Sequence, residues 1–455
     1  MGKPLPSDYQ VTESRSMLLN IGPSHPAMHG VIRIVAELDG ETVTSIDTEI
    51  GYLHRAFEKS CEQGQYNVAL PYSDRLNYVS PLISNIGYCM SVERLLDIDT
   101  SDRCKYIRVI MCEISRITDH LTCVGASSME LGAFTVFLYM IKAREWFWEI
   151  VEMVTGARLT ISYARVGGLK SDLPEGFNEK TLTAIAETRK VLKEVEGLLN
   201  TNRIFYDRMK DTGVLSKEDA LAYGVTGPFL RSTGVDLDAR RYAPYLVYDR
   251  LDFDIPVGEH GDNLDRYYVR MEEMQQSMRI IEQALRDMPK GDVTVDLAGN
   301  PAREVEIKAS DMVDEAKMGQ TRGFKQSAVV ADPTLGGSTG AAHKNVYSAN
   351  KLVALPKKED TYGNIEGLMN HFKLVMYGHG IRPAKGESYV PVEGANGELG
   401  FFVVSDGSDK PYRVRVRPPC FTIMSALHKL LVGDQVADII PTFGSVNMIA
   451  GELDR

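Results

Sequence analysis

The chain has 455 residues, with 51 Lys and Arg against 62 Asp and Glu, a formal net charge of −11. Its 44% hydrophobic and 25% charged residues are ordinary globular usage and exclude an intrinsically disordered chain. The acidic balance argues against a nucleic-acid partner, which needs a basic face to neutralise phosphates. The longest apolar stretch, Leu131 to Ile141, already holds Gly132 and Thr135. It falls far short of the ~20 apolar residues a membrane span needs.

In chain order, Ser16 to Ile21 and Val31 to Leu38 alternate as strands around a loop, and Thr42 to Ile50 alternates again after the Asp39-Gly40 turn. From Gly51 to about Val154, three- and four-residue spacing takes over, as in Ile86, Met90, Leu95 and Ile107, Met111, Ile114, and predicts long helices. Leu131 to Val154 is apolar around most of its circumference and is expected to lie at the centre of the bundle. After a Gly167-Gly168 turn come an amphipathic helix from Asn178 to Leu199, a short helix capped by Ser216, and a long one from Asp262 or Asn263 to Met288.

Residues 297–360 are rich in Gly, Ala, Lys, Ser and Thr and read as an insertion or mobile excursion. A helix from Ile365 to Val375 then precedes strands. Among these, Tyr412, Val414 and Val416 alternate with Arg413, Arg415 and Arg417, and turns fall at Asn396-Gly397 and Asp406-Gly407. The expectation is a mainly α, α+β fold, a central long-helix bundle with small antiparallel sheets from both ends of the chain. It divides into a β region at 1–50, a helical core at 51–296, the excursion at 297–360 and an α/β region at 361–455 that completes the core.

The six cysteines, at 61, 89, 104, 112, 123 and 420, form no CxxC pair. A zinc ribbon and a cysteine-run iron–sulfur motif are therefore excluded, and buried reduced thiols are expected. The Met1-Gly2-Lys3-Pro4-Leu5-Pro6 start has no apolar signal core and fails the myristoylation pattern, which predicts a protein that stays where it is made.

The most informative stretch is Gly22-Pro23-Ser24-His25-Pro26-Ala27-Met28-His29-Gly30. An i, i+4 pair of histidines on a helix would suit zinc, but the prolines and glycines favour a loop tip between two strands, and no third ligand or HExxH pattern accompanies them. Spacing alone leaves open a purely structural loop. Tyr78 follows Asp74-Arg75-Leu76-Asn77, and Glu130 stands at the front of the apolar stretch, where a carboxylate is favourable to a helix N-terminus. Buried beside an imidazole, the same carboxylate would instead set that ring's tautomer and raise its pKa. His54-Arg55, His120 and Arg165 are singletons that read as structural.

Several of these segments together resemble a known family. GPSHPAMHG at 22–30, GYLHRAFEK at 51–59, ELGAFTVFLY at 130–139, TGPFLRSTGVDLDAR at 226–240, YDRLDFDIP at 248–256, DRYYVRMEEM at 265–274, VSDGSDKPYR at 404–413 and GELDR at 451–455 look like the D-type, quinone-site subunit of respiratory complex I. The match runs in order over nearly the whole chain, and the family is related to the large subunit of nickel–iron hydrogenases. Hydrogenases hold their metals with two CxxC pairs. The equivalent regions here, Asp74 to Tyr78 and Asp438 to Phe443, hold no cysteine, so this chain lacks the soft thiolates that centre needs.

The resemblance implies the hydrogenase large-subunit fold and a subunit of the peripheral arm of the proton-pumping NADH:quinone oxidoreductase. In that complex the chain would form the quinone headgroup site beside a 4Fe-4S cluster held by a smaller partner subunit. It implies no metal or cofactor on this chain, with NADH and FMN elsewhere in the complex and a membrane-arm subunit as anchor. His29 and Tyr78 match the residues that hydrogen-bond the quinone carbonyls, and His25 is their companion in the loop. Glu130 stands where the family commonly has aspartate and would orient or reprotonate His29, while His54 and Arg55 match a stretch near the partner's cluster. The implied location is the cytoplasmic face of a bacterial membrane, or the matrix face if mitochondrial. A different electron donor, ferredoxin or reduced deazaflavin, and a non-catalytic scaffold subunit remain as alternatives.

Overall fold

The structure, a computed structural model, describes residues 16–295, 353–356, 358–376 and 378–455. The excursion expected at 297–360 therefore lies, apart from residues 353–356 and 358–360, outside the described residues. Three strands, β1 (Met17–Ile21), β2 (Arg33–Asp39) and β3 (Thr42–Glu49), form an antiparallel sheet in that order. Along β2 the period of two turns Ile34, Ala36 and Leu38 inward and leaves Asp39 in solvent. A second antiparallel sheet joins β4 (Gly386–Glu393), β5 (Glu398–Ser405) and β6 (Arg413–Arg417), with Val390 opposite Phe401 and Val403 opposite Val414. In β6 the valines are buried and Arg413 and Arg415 exposed, as the alternation predicts.

Between the sheets run five long helices of the described residues: α1 (Pro81–Leu95), α2 (Asp102–Glu130), α3 (Phe134–Thr155), α4 (Phe177–Leu199) and α5 (Asn263–Asp287). Asp262 caps α5 by accepting from the Asp265 amide. Three short helices, α6 (Pro419–Ser425), α7 (Ile439–Val446) and α8 (Ala450–Asp454), follow the second sheet. The architecture is mainly α with small antiparallel sheets, the expected class. All six cysteines are buried and free.

The central helix is α2, not the apolar stretch after it. Every residue from Tyr106 to Leu121 is buried, and α3, α5 and α7 all pack against it. The expected centre, α3, leaves Phe134 and Leu138 more than half exposed. Apolar content misled because α2 carries Arg108, Glu113, Arg116, Asp119 and His120, and buried charge is tolerated only when paired. Here it is paired. Arg108 forks onto Glu93 at 2.7 and 2.6 Å, and Glu113 accepts from Arg116, Arg240, Tyr248 and Ser277.

Two apolar cores result. The larger is built around α1 to α5 and the inner face of β4–β6. The smaller joins β1–β3 to residues 215–230 and to α6, α7 and α8. Each buried Leu, Ile or Phe contributes roughly 1.5–3 kcal/mol to holding its core together. Tyr78 packs against the smaller core, while Glu130 ends a helix of the larger one. The seam between the cores is where the candidate residues meet.

Candidate functional site

The β1–β2 connection is a loop tip, as expected for the histidine stretch. Pro26–Met28 forms one 3-10 turn, with His25 Nδ1 accepting from the Ala27 amide at 3.2 Å and Met28 fully buried as its anchor. His29 ends the turn in the left-handed region at φ 48°, and its Nε2 stands 2.8 Å from Glu130 Oε1. The two rings thus have separate partners rather than converging on one point.

Glu130 is the last residue of α2, at its carbonyl end, and not the first of the following helix. This corrects the reading from the apolar stretch: the helix dipole there opposes a carboxylate instead of favouring it. Its side chain is 4% exposed. Burial pushes the carboxyl above its ordinary range, against the pull of His29 and His25. Although Nε2 and Oε1 stand at hydrogen-bonding distance, neither Glu130 oxygen makes a well-directed hydrogen bond among the described residues. The contact is an ion-pair approach with unused acceptor capacity. Gly444 of α7 lies against this carboxylate so closely that a Cβ there would overlap Oε2.

Tyr78 arrives from the other side of the seam. Asn77 shapes the turn before it, its Oδ1 accepting from the Val79 and Ser80 amides at 3.2 and 3.1 Å. The Asn77 amide group also donates to Glu452 of α8 at 2.9 Å. Tyr78 is half-buried and lies beside the backbone of Ala450. Burial, and then Cys420 beside it, lifts the phenol above its ordinary range, while the Ala450 backbone and the Arg55 guanidinium pull it back. Gly30, next to His29, packs on the same Ala450, for a Cβ on Gly30 would stand 2.7 Å from the Ala450 Cβ. Ala450 is thus the common seat of the histidine loop and the tyrosine.

His54 and Arg55 follow β3 and are tied to α8. His54 Nδ1 lies 2.7 Å from the Asp454 carbonyl oxygen, and Arg55 donates to the Arg75 and Gly451 carbonyls at 2.8 and 3.0 Å. Asp454 in turn accepts from the Gly51 and Leu53 amides at 2.9 and 2.8 Å. Arg55 thereby becomes a neighbour of Tyr78. His120 is elsewhere: its Nε2 pairs with Glu273 at 2.8 Å inside the charged core. Spacing gave no sign of Gly444, Ala450 or Glu452, whose importance depends on contacts from distant parts of the chain.

The seam thus brings a half-exposed imidazole backed by a buried carboxylate, and a phenol whose burial favours its protonated form, to the two sides of Ala450. Residues 130–455 match the family described as respiratory-chain NADH dehydrogenase, 49 kDa subunit. The chain belongs to that family. It is 47% identical over 443 residues to the first of the D-type subunits of NADH-quinone oxidoreductase in Sorangium cellulosum, covering 97% of this chain and 96% of the relative. It is 46% identical to the D-type subunit of the same enzyme in Myxococcus xanthus, covering 97% and 94%. A third relative, the C/D-type subunit of Bdellovibrio bacteriovorus, is 45% identical, with 98% of this chain matching 70% of the longer relative. This family of the 49 kDa subunit supplies a component of an oxidoreductase complex, and no helix of the described residues is long and apolar enough to cross a membrane.

Proposed function

We propose that the chain forms the quinone headgroup site of a proton-pumping NADH:quinone oxidoreductase, with His29 and Tyr78 as the donors to the two quinone oxygens and His25 as their companion. Reducing a quinone to quinol takes two electrons and two protons. A 4Fe-4S cluster on the neighbouring subunit supplies electrons but no protons, so each oxygen needs a donor from the protein. The observation that carries the reading is the seating of the His29 loop and Tyr78 on one residue, Ala450, with Glu130 buried against His29.

His29 remains 22% exposed and His25 lies in solvent, which suits a half-site closed by a partner. NADH and FMN belong to other subunits of the peripheral arm, and a membrane-arm subunit anchors the complex, on the cytoplasmic face of a bacterial membrane or the matrix face of a mitochondrial one. The longer C/D-type relative supports a C-type subunit as a neighbour. In this reading Arg55, and His54 with it, lies toward the partner's cluster, where a fixed cation tunes potential.

A cryo-electron microscopy map of the assembled complex with a quinone-site inhibitor tests the proposal. Density against His29 and Tyr78 is expected, and density only elsewhere would overturn it. Gly444→Ala adds a second test. The new methyl group must displace the Glu130 carboxylate from His29, while alanine suits the helix itself. Quinone turnover is expected to fall by up to about 10²-fold with the thermal midpoint of the complex nearly unchanged. Equal turnover would show that the His29–Glu130 contact is dispensable.

A further inference from the structure

The turn that carries Tyr78 is pinned by a closed circuit of buried hydrogen bonds. Asn77 Nδ2 donates to Glu452 of α8 at 2.9 Å, and the other Glu452 oxygen accepts from the Cys420 amide at 3.1 Å. The Cys420 sulfur accepts from Asn396 Nδ2 at 3.6 Å. Asn447 Nδ2 donates to Asn396 Oδ1 at 2.6 Å and to Asp119 Oδ1 at 2.7 Å. Asp119 Oδ2 then accepts from Ser80 Oγ at 2.7 Å, and the Ser80 amide donates back to Asn77 Oδ1 at 3.1 Å. The circuit leaves the chain just before Tyr78 and returns just after it. None of its members is more than 5% exposed.

Asp119 is the link that belongs to the central helix α2. Its partner Asn447 ends α7 in the left-handed region at φ 54°, which asparagine tolerates better than most residues with a side chain. That turn leads from Gly444, which lies against Glu130, to Ala450, the seat of the His29 loop and Tyr78. One side chain of α2 therefore holds the tyrosine turn through Ser80 and the approach to its seat through Asn447.

Resting on the quinone reading above, we propose that Asp119 is a positioning residue for Tyr78, fixing the phenol relative to His29 by bridging Ser80 and Asn447. It does not touch the quinone. The bridge needs two polar atoms in this geometry and not a negative charge. In asparagine the carbonyl oxygen still accepts from Asn447, and the amide donates to Ser80 Oγ, whose hydroxyl turns from donor to acceptor. Leucine has a similar volume and offers neither bond, so it releases Ser80 and Asn447 from α2 and lets the turn shift. A displacement of about 1 Å at a reacting group is enough to cost about 10²-fold in rate.

The test is turnover of a short-chain ubiquinone analogue by the assembled complex, with NADH:ferricyanide activity as the measure of intact upstream subunits. Asp119→Leu is expected to lower kcat about 10- to 100-fold, and Asp119→Asn to keep it within about twofold. Added to Tyr78→Phe, Asp119→Leu should cost less than about twofold more, because a residue acting through the phenol has nothing left to place. A purely structural role would make the two losses multiply. Wild-type turnover in Asp119→Leu, equal losses in Asp119→Asn and Asp119→Leu, or multiplied losses in the double variant each overturn the proposal. If Asp119→Leu prevents assembly, Ser80→Ala decides. A fall of about three- to tenfold that vanishes in the Tyr78→Phe background supports the proposal, and wild-type turnover or a fall that persists there overturns it. Tyr78→Phe alone separates the two readings: full turnover there defeats the quinone site itself, whereas impaired Tyr78→Phe with wild-type Asp119→Leu defeats only the positioning role.

Discussion

Replacing Tyr78 by phenylalanine is expected to cut quinone reduction by the assembled enzyme roughly 10²- to 10⁴-fold, with NADH:ferricyanide activity retained. The substitution keeps the ring and its packing against the smaller core and removes one hydroxyl. That hydroxyl lies beside the Ala450 backbone and makes at most one ordinary hydrogen bond there, so the loss of stability should be only about 1 kcal/mol. On the proposed reading electrons still reach the site, because the cluster and everything upstream lie in other subunits. What fails is delivery of a proton to one quinone oxygen. Burial holds the phenol above its ordinary range, so it is a donor across the whole neutral range, and the variant's defect should not be rescued by lowering the pH toward 6. Wild-type turnover in Tyr78→Phe would remove this residue from the chemistry.

The largest structural effect is expected from Arg231→Met. Arg231 is fully buried and bonds Glu273 at 2.9 and 2.6 Å, Glu393 at 2.8 Å and the Leu237 carbonyl at 3.0 Å, with Asp238 at 3.4 Å. Burial alone would raise the Glu273 carboxyl, yet Arg231, His120 and Arg116 hold it far below its ordinary range. Methionine fills much of the space but leaves these carboxylates without their shared cation. Breaking a buried pair in this way costs about 3–5 kcal/mol.

The pH dependence of this loss has a definite sign. In the wild type, the depressed Glu273 pKa contributes stability above the unfolded carboxylate range, which is lost as pH falls through the folded value. In the variant, Glu273 is no longer held down by Arg231, and its folded pKa moves upward, so ionisation becomes destabilising as pH rises. The gap in thermal midpoint between the two complexes should widen from pH 5 to pH 8. A constant gap would mean that Arg231 acts by packing alone.

How much of this was legible depended on the range of the interactions. Period-two alternation placed β2, β3 and β6, and the side-chain cap at Asp262 placed the start of α5, because both are written within a few residues. The His25–His29 loop was legible from its prolines and glycines for the same reason. The central helix was not. Arg108, Glu113, Arg116 and His120 make α2 look like a surface helix, and the residues that neutralise them include Glu93, Arg240 and Glu273, the last two well over a hundred positions away. Glu130 was misplaced by one helix boundary, since an apolar run beginning at Leu131 hides the short break before Phe134. The family resemblance named His29 and Tyr78, but only the fold shows Ala450 and Gly444 setting their surroundings.

The bonds that fix the site also set when it can exist. Asp454 holds the 51–53 loop across about four hundred positions, and Glu452 holds Asn77 across a similar span. Contacts of such long range form late in folding, after loop closure. A ribosome that has translated as far as residue 449 therefore carries a chain with helices and sheets but an unfastened Tyr78 turn. Fastening of the Tyr78 turn thus waits on α8, and so does anchoring of the 51–53 loop.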